Sequence, residues 1–311
     1  MKVLFMGTPD FAVGALEAII RAGHEVVCVV TQPDKPKGRS GQMQFSPVKE
    51  CALKHGLPVF QPERIKRPEA VEELKKYDAK VFVVAAFGQI VSREILDMPP
   101  LGCINIHASL LPKYRGASPI QQAVLDGEEK SGVTIMQMED GIDTGDILYQ
   151  KEILLDAKET GESLFDKLSL LGAEAIVEAL PLLEAGKLTP VKQDESKATH
   201  VKMISKSQGL IDWSESSVVI ERKIRGLNSW PSAYTNYKGK QLKIWDADVT
   251  DIATEGEARP GMVVGADKET IFVQTGDGVL AIRQLQLEGK KRMCTHDFLL
   301  GCQIMQGESL G

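Results

Sequence analysis

The sequence has no Cys-x-x-Cys pair, and its five cysteines (Cys28, Cys51, Cys103, Cys294, Cys302) are odd in number and far apart. That argues against a disulfide framework and against a redox dithiol. Cys28 and Cys103 lie inside apolar runs and read as buried thiols. The five histidines are scattered, with no zinc-type ligand spacing. No apolar run approaches membrane-spanning length, and the opening run Val3-Leu4-Phe5-Met6 is too short for a signal peptide. A reducing cytoplasm is the expected compartment. An excess of positive charge is also missing: the net charge is −6, which argues against a generally basic nucleic-acid binder. Residues 201–311 carry 14 Lys+Arg against 14 Asp+Glu, so the acidic excess lies in the first 200 and leaves room for local basic patches. The Gly-x-Gly-x-x-Gly fingerprint is absent, because the glycine after Gly7 is Gly14; no NAD site is expected.

What is present fits two domains in 311 residues. Apolar runs at 2–6, 25–31, 80–86, 102–107 and 133–138 lack clean alternation, as strands covered on both faces do. Between the first two, Phe11, Ala15, Leu16, Ile19 and Ile20 form one helical stripe that stops at Gly23. This predicts an α/β, Rossmann-like, doubly wound and mostly parallel sheet over 1–188. A helix is expected over 156–186, with Pro181 interrupting its last turns. The polar stretch 189–207 reads as a linker. Beyond a short helix at 216–227, strands at 233–237, 241–247, 262–265, 271–275 and 279–286 alternate with glycine-bearing turns. They predict a smaller, OB-like β-barrel over 208–311.

Asn105 and His107 are two apart at the end of one predicted strand, so their side chains project from one face, roughly 7 Å apart along the chain. Ser109-Leu110-Leu111-Pro112 follows, and the proline forces a loop. Asp143 lies in a turn bracketed by Gly141 and Gly145, where a carboxylate beside a histidine would orient the ring. On residue types alone, a reactive centre and a hydrogen-bonded strand end both stay open. In such sheets, ligands gather at the carboxyl ends of strands, where Asn105 and His107 would sit.

Residues 105–148 resemble the folate-dependent formyltransferases, in which Asn-x-His, a Ser-Leu-Leu-Pro loop and a later Asp-x-Gly form the reaction centre. Three linked motifs at matching spacing make this resemblance specific. It implies Asn105, His107 and Asp143 as the catalytic trio, and a folate pocket walled by Ser109, Leu110, Leu111, Pro112, Asp140, Gly141 and Ile142. Phe87, Gly88, Gln89 and Ile90 would supply backbone hydrogen bonds to the pterin, with glycine allowing close approach. Family members acting on tRNA carry a basic loop like the one at 33–47, here with Lys35, Lys37 and Arg39. This sequence then departs from the pattern: Gly41, Gln42 and Gln44 stand where many relatives have lysines, which implies fewer phosphate contacts. Ile211-Asp212-Trp213, Asn228-Ser229-Trp230-Pro231 and Gly289-Lys290-Lys291-Arg292-Met293 resemble the carboxy-terminal domain of the same tRNA-acting members. By composition alone the basic run Lys290, Lys291 and Arg292 reads as a solvated turn before it reads as a nucleic-acid contact.

The resemblance implies transfer of a formyl group from 10-formyltetrahydrofolate to the α-amino group of methionine on initiator tRNA, by a monomer that needs neither metal nor NAD. Two other readings compete. Sugar-nucleotide formyltransferases share the layout, although the 33–47 and 289–293 segments favour tRNA. An inactive tRNA-binding relative is the other, and the intact trio argues against it.

Overall fold

A computed structural model describes residues 1–37, 42–253 and 258–311, with the side chains of Lys37 and Gln42 excepted. The chain forms two compact units: 1–119 with 130–154 and 165–201, and 120–129 with 155–164 and 202–311.

The first unit is built on β1 (Lys2–Gly7), β2 (Glu25–Val30), β5 (Val59–Phe60), β6 (Val81–Ala85), β7 (Cys103–His107), β9 (Lys130–Gln137) and β10 (Ile147–Leu154). A short hairpin of β3 (Lys35–Lys37) and β4 (Gln42–Gln44) intervenes, and β8 (Arg115–Gly116) lies outside the main sheet. The sheet order is β10-β9-β7-β6-β1-β2-β5. From β7 to β5 every pairing is parallel, while β9 runs antiparallel to both its neighbours. The expected mostly parallel sheet is therefore present, with an antiparallel edge. Helices cover it: α1 (Asp10–Arg21), α2 (Pro47–Lys54), α3 (Pro68–Leu74) and the short α4 (Arg93–Leu96). Val3, Leu4, Phe5 and Met6 are fully buried in β1, which explains its unbroken apolar run. Ser46 caps α2 by accepting the Lys49 N–H at 3.1 Å, with Pro47 pre-set for the first turn.

The segment expected to be a linker is partly structural. Within it, β11 (His200–Val201) pairs in parallel with β8, so residues up to Val201 pack with the first unit. The helix expected at 156–186 spans Gly161–Glu184 (α6, after α5 at Pro119–Asp126) and runs through Pro181 instead of breaking there. Thr160 and Ser163 cap its start reciprocally, backbone N–H to hydroxyl in each direction.

The second unit carries α7 (Ser217–Gly226) and an antiparallel sheet of β12 (Ala233–Tyr237), β13 (Lys240–Thr250), β14 (Val263–Ala266), β15 (Ile271–Gln274), β16 (Val279–Leu287) and β17 (Met293–Cys294), followed by α8 (Thr295–Gly301). Its order is β12-β13-β16-β15-β14, with β17 on β16. Lys238 and Gly239, at φ 48° and 76°, form the tight turn that joins the first two of these strands. Ile220, Ile224, Leu242, Ile244, Val273, Ile282 and Phe298 share one core beneath the sheet.

Burial sorts the cysteines. It pushes the Cys28 thiol up to about 11 and the Cys103 thiol up to about 12, and raises Cys51 as well. Cys294 is exposed and Cys302 half-buried. With a thiol-specific disulfide reagent at neutral pH, the native protein is expected to titrate only these two. All five should react after unfolding. Rapid reaction of Cys103 in the native state would contradict this packing.

Candidate active site

β7 pairs with β6 through Asn105↔Val84 and with β9 through His107↔Thr134. Its alternation buries Ile104 and Ile106 on one face and puts Asn105 and His107 on the other. Asn105 is half-buried, and its amide makes no hydrogen bond to any described side chain or backbone group, which leaves both ends for a ligand.

His107 is buried, with Nε2 3.0 Å from the Tyr114 carbonyl. A carbonyl only accepts, so the ring hydrogen belongs on Nε2 and the lone pair on Nδ1. Nδ1 faces Asp143 Oδ2 at 3.6 Å, too long for a hydrogen bond and well within ion-pair reach. A proton arriving at Nδ1 would thus meet a carboxylate. Asp143 itself sits in the left-handed region at φ 55°, and its Oδ2 accepts the Gly116 N–H at 2.8 Å. Gln193 Nε2 donates to the Asp143 carbonyl at 2.8 Å and to the Gly145 carbonyl at 2.7 Å. Tyr114, Gly116 and Gln193 were not foreseen from the sequence. A Tyr-Arg-Gly step after Pro112 hints at a turn, but nothing local marks Gln193.

The 109–113 loop is tied to itself and to β9. Ser109 Oγ donates to the Lys113 carbonyl at 2.6 Å, Thr134 Oγ1 donates to the Ser109 carbonyl, and the Leu111 N–H donates to Thr134 Oγ1. Ser109 and Leu111 are buried and the Leu111–Pro112 bond is cis. After β6, Gly88 takes φ 82°. The Phe87 carbonyl already accepts from Thr8 Oγ1 at 3.0 Å and Gln32 Nε2 at 3.2 Å, so its acceptor capacity is taken up within the protein. The Gln89 side chain braces the Ile65 N–H and the Pro62 carbonyl. Arg93 Nη1, at the start of α4, lies 3.9 Å from Asp140 Oδ2 in the 139–142 loop. Within three residues of that pair, Ile90 and Ile142 are 77% and 67% exposed, apolar side chains without protein cover.

Among the basic candidates, Lys35 is exposed on the β3–β4 hairpin, and Lys37 closes the first of those strands. Arg39 lies outside the described residues. Lys290, Lys291 and Arg292 are exposed in the second unit. There Arg292 bonds Gln284 Oε1 and stacks its guanidinium 4.8 Å from the Trp245 ring centroid, with Lys243 at 5.5 Å from the same ring.

Residues 1–180 match the formyl transferase family, and residues 203–303 match the formyl transferase C-terminal domain. The chain belongs to the formyl transferase family. This formyl transferase is 58% identical to a methionyl-tRNA formyltransferase of Lachnospira eligens over the full length of both chains. It is 55% identical to one of Agathobacter rectalis over 99% of this chain and 98% of that one. Among solved structures, an N-formyltransferase from Helicobacter canadensis, in complex with folinic acid and dTDP-3-aminofucose, superposes at TM-score 0.68 with 21% identity, covering 94% of this formyl transferase and all of the other chain. That likeness concerns the fold. Among the described residues, no helix is long and apolar enough to cross a membrane.

Proposed function

We propose that this formyl transferase moves the formyl group of 10-formyltetrahydrofolate onto the α-amino group of methionine carried by initiator tRNA, by direct attack through a tetrahedral intermediate. The observation that carries the reading is full-length identity of 58% to an enzyme named methionyl-tRNA formyltransferase. The Asn105 amide, on the same face of β7 as His107, and the Asp143 carboxylate beside that imidazole are the groups this chemistry would need.

The folate would lie against Phe87, Gly88, Gln89, Ile90, Ser109, Leu110, Leu111, Pro112, Asp140, Gly141 and Ile142. The two uncovered isoleucines suit a flat heteroaromatic ring, and the folate supplies the formyl carbon to be attacked. An α-amino group has a pKa of about 8, so an appreciable fraction is already a neutral nucleophile at pH 7. Asn105, whose amide is uncommitted, donates to the oxygen that gains charge; one such donor is worth about 3 kcal/mol in other enzymes. His107 takes the proton of the attacking amine at Nδ1 and returns it to the departing nitrogen, and Asp143 stabilises the imidazolium between those steps. Because the Nε2 hydrogen is committed to the Tyr114 carbonyl, oxyanion stabilisation rests on Asn105 and proton transfer on Nδ1.

Lys35, Lys37 and Arg39 would meet tRNA phosphates from the 33–47 loop, and Lys290, Lys291 and Arg292 from the second unit. In this reading catalysis belongs to 1–188, and 208–311 binds tRNA together with the 33–47 loop, in a cytoplasmic monomer. The test is a filter assay with labelled formyl donor, offered initiator methionyl-tRNA or an amino-sugar nucleotide. Label is expected on the tRNA alone; label on the sugar, or on neither, overturns the assignment.

A further inference from the structure

Among the described residues Arg115 is the largest fully buried side chain, 1% exposed, yet it carries a charge. Its two terminal nitrogens make a fork onto Glu195, at 3.0 and 2.6 Å, and its Nε donates to Gln193 Oε1 at 3.0 Å. Arginine has only donors, so this last bond settles which end of the Gln193 amide is which. The amide nitrogen is left to point at the carbonyls of Asp143 and Gly145, and it donates to both. Backbone pairing holds the same strip of chain: Tyr114 N–H to Thr199 Oγ1 at 2.8 Å, Arg115 N–H to the Thr199 carbonyl at 2.8 Å, and Ala117 N–H to the Val201 carbonyl at 3.1 Å. The strip held this way contains the two residues that fix the His107–Asp143 pair. Tyr114 supplies the carbonyl that orients His107, and Gly116 supplies the N–H that orients Asp143.

We infer that Gln193 is a positioning residue for the reaction, holding Asp143 in its left-handed conformation so that its carboxylate faces His107. This rests on the reading of Asp143 as catalytic. Gln193 touches no reacting atom and acts through Asp143. The substitution that isolates the effect is Gln193→Glu. A carboxylate keeps the size and strengthens the bond to Arg115, so the fold should lose nothing there. It brings no hydrogen to the two carbonyls, and the turn is released.

Gln193→Glu is expected to fold to the native state, unfolding a few degrees below wild type, while kcat falls about 100-fold, the scale of a 1 Å misplacement, with KM for both substrates within about twofold. In an Asp143→Asn background the same change should cost no more than about threefold, since residues acting through one another are not additive. A scaffold role would instead multiply the two losses. Multiplying losses, or wild-type kcat in Gln193→Glu alone, overturns the inference while leaving the catalytic reading intact. Wild-type turnover in Asp143→Asn alone would bring down both.

Discussion

Asp143→Asn should leave a folded protein whose kcat is down about 10²- to 10³-fold, with KM for either substrate nearly unchanged. The substitution preserves shape, and the new side-chain oxygen can still accept the Gly116 N–H. What goes is the negative charge 3.6 Å from Nδ1, which matters only once the ring has taken a proton. Binding therefore survives while the proton-transfer step suffers. His107→Ala removes the acceptor itself and should cost about 10³-fold, and the double variant should be scarcely worse than His107→Ala. Single-turnover formylation of initiator methionyl-tRNA reads all three. Turnover near wild type in either single variant would show that the ring and carboxylate are a structural strand-end pair, the other reading their residue types allow.

The parts of this arrangement that could be read in the sequence are those with a short period. Cys103-Ile104-Asn105-Ile106-His107 alternates, so one strand puts its two polar groups on a single face. The run at 133–138 announces a strand, but its antiparallel direction depends on how 108–129 returns the chain, which no local pattern encodes. β5 is two residues long, too short to show any period. In the second unit the glycine-bearing turns carried the hairpins, and the strands fell within a few residues of their expected places. Residues 189–207 are a different case. The stretch is polar and aperiodic, as linkers are, yet its value to the site comes from β11 pairing with a strand 85 residues earlier and from one side-chain amide. A pairing across that distance leaves no mark on the neighbouring sequence. Arg115 misleads for a related reason: a charged side chain reads as surface, and only Glu195 and Gln193 make its burial tolerable.

Gly116→Ala should be severely damaging for a single added methyl group, costing about 2–4 kcal/mol of stability and lowering kcat about 100-fold. At φ 112° the residue occupies a region that side chains rarely enter, and an added Cβ would stand 2.3 Å from the Val201 carbonyl oxygen. That oxygen belongs to β11 backbone and cannot rotate away, so the β8–β11 pairing must open. Opening it moves the N–H that Asp143 accepts and the neighbouring Tyr114 carbonyl that holds His107, so stability and turnover fall together. Gly14→Ala is the matched control. There the new methyl meets Ser169 at an ordinary 3.5 Å, inside α1 at a right-handed position, and helix propensity favours alanine by about 0.8–1 kcal/mol. Urea unfolding should place Gly14→Ala at or above wild type and Gly116→Ala far below it, with activity following the same order. If Gly116→Ala unfolds late but has lost its turnover, the methyl acts on the 143–145 turn without opening the strands. If it keeps both, β8–β11 does not hold the site.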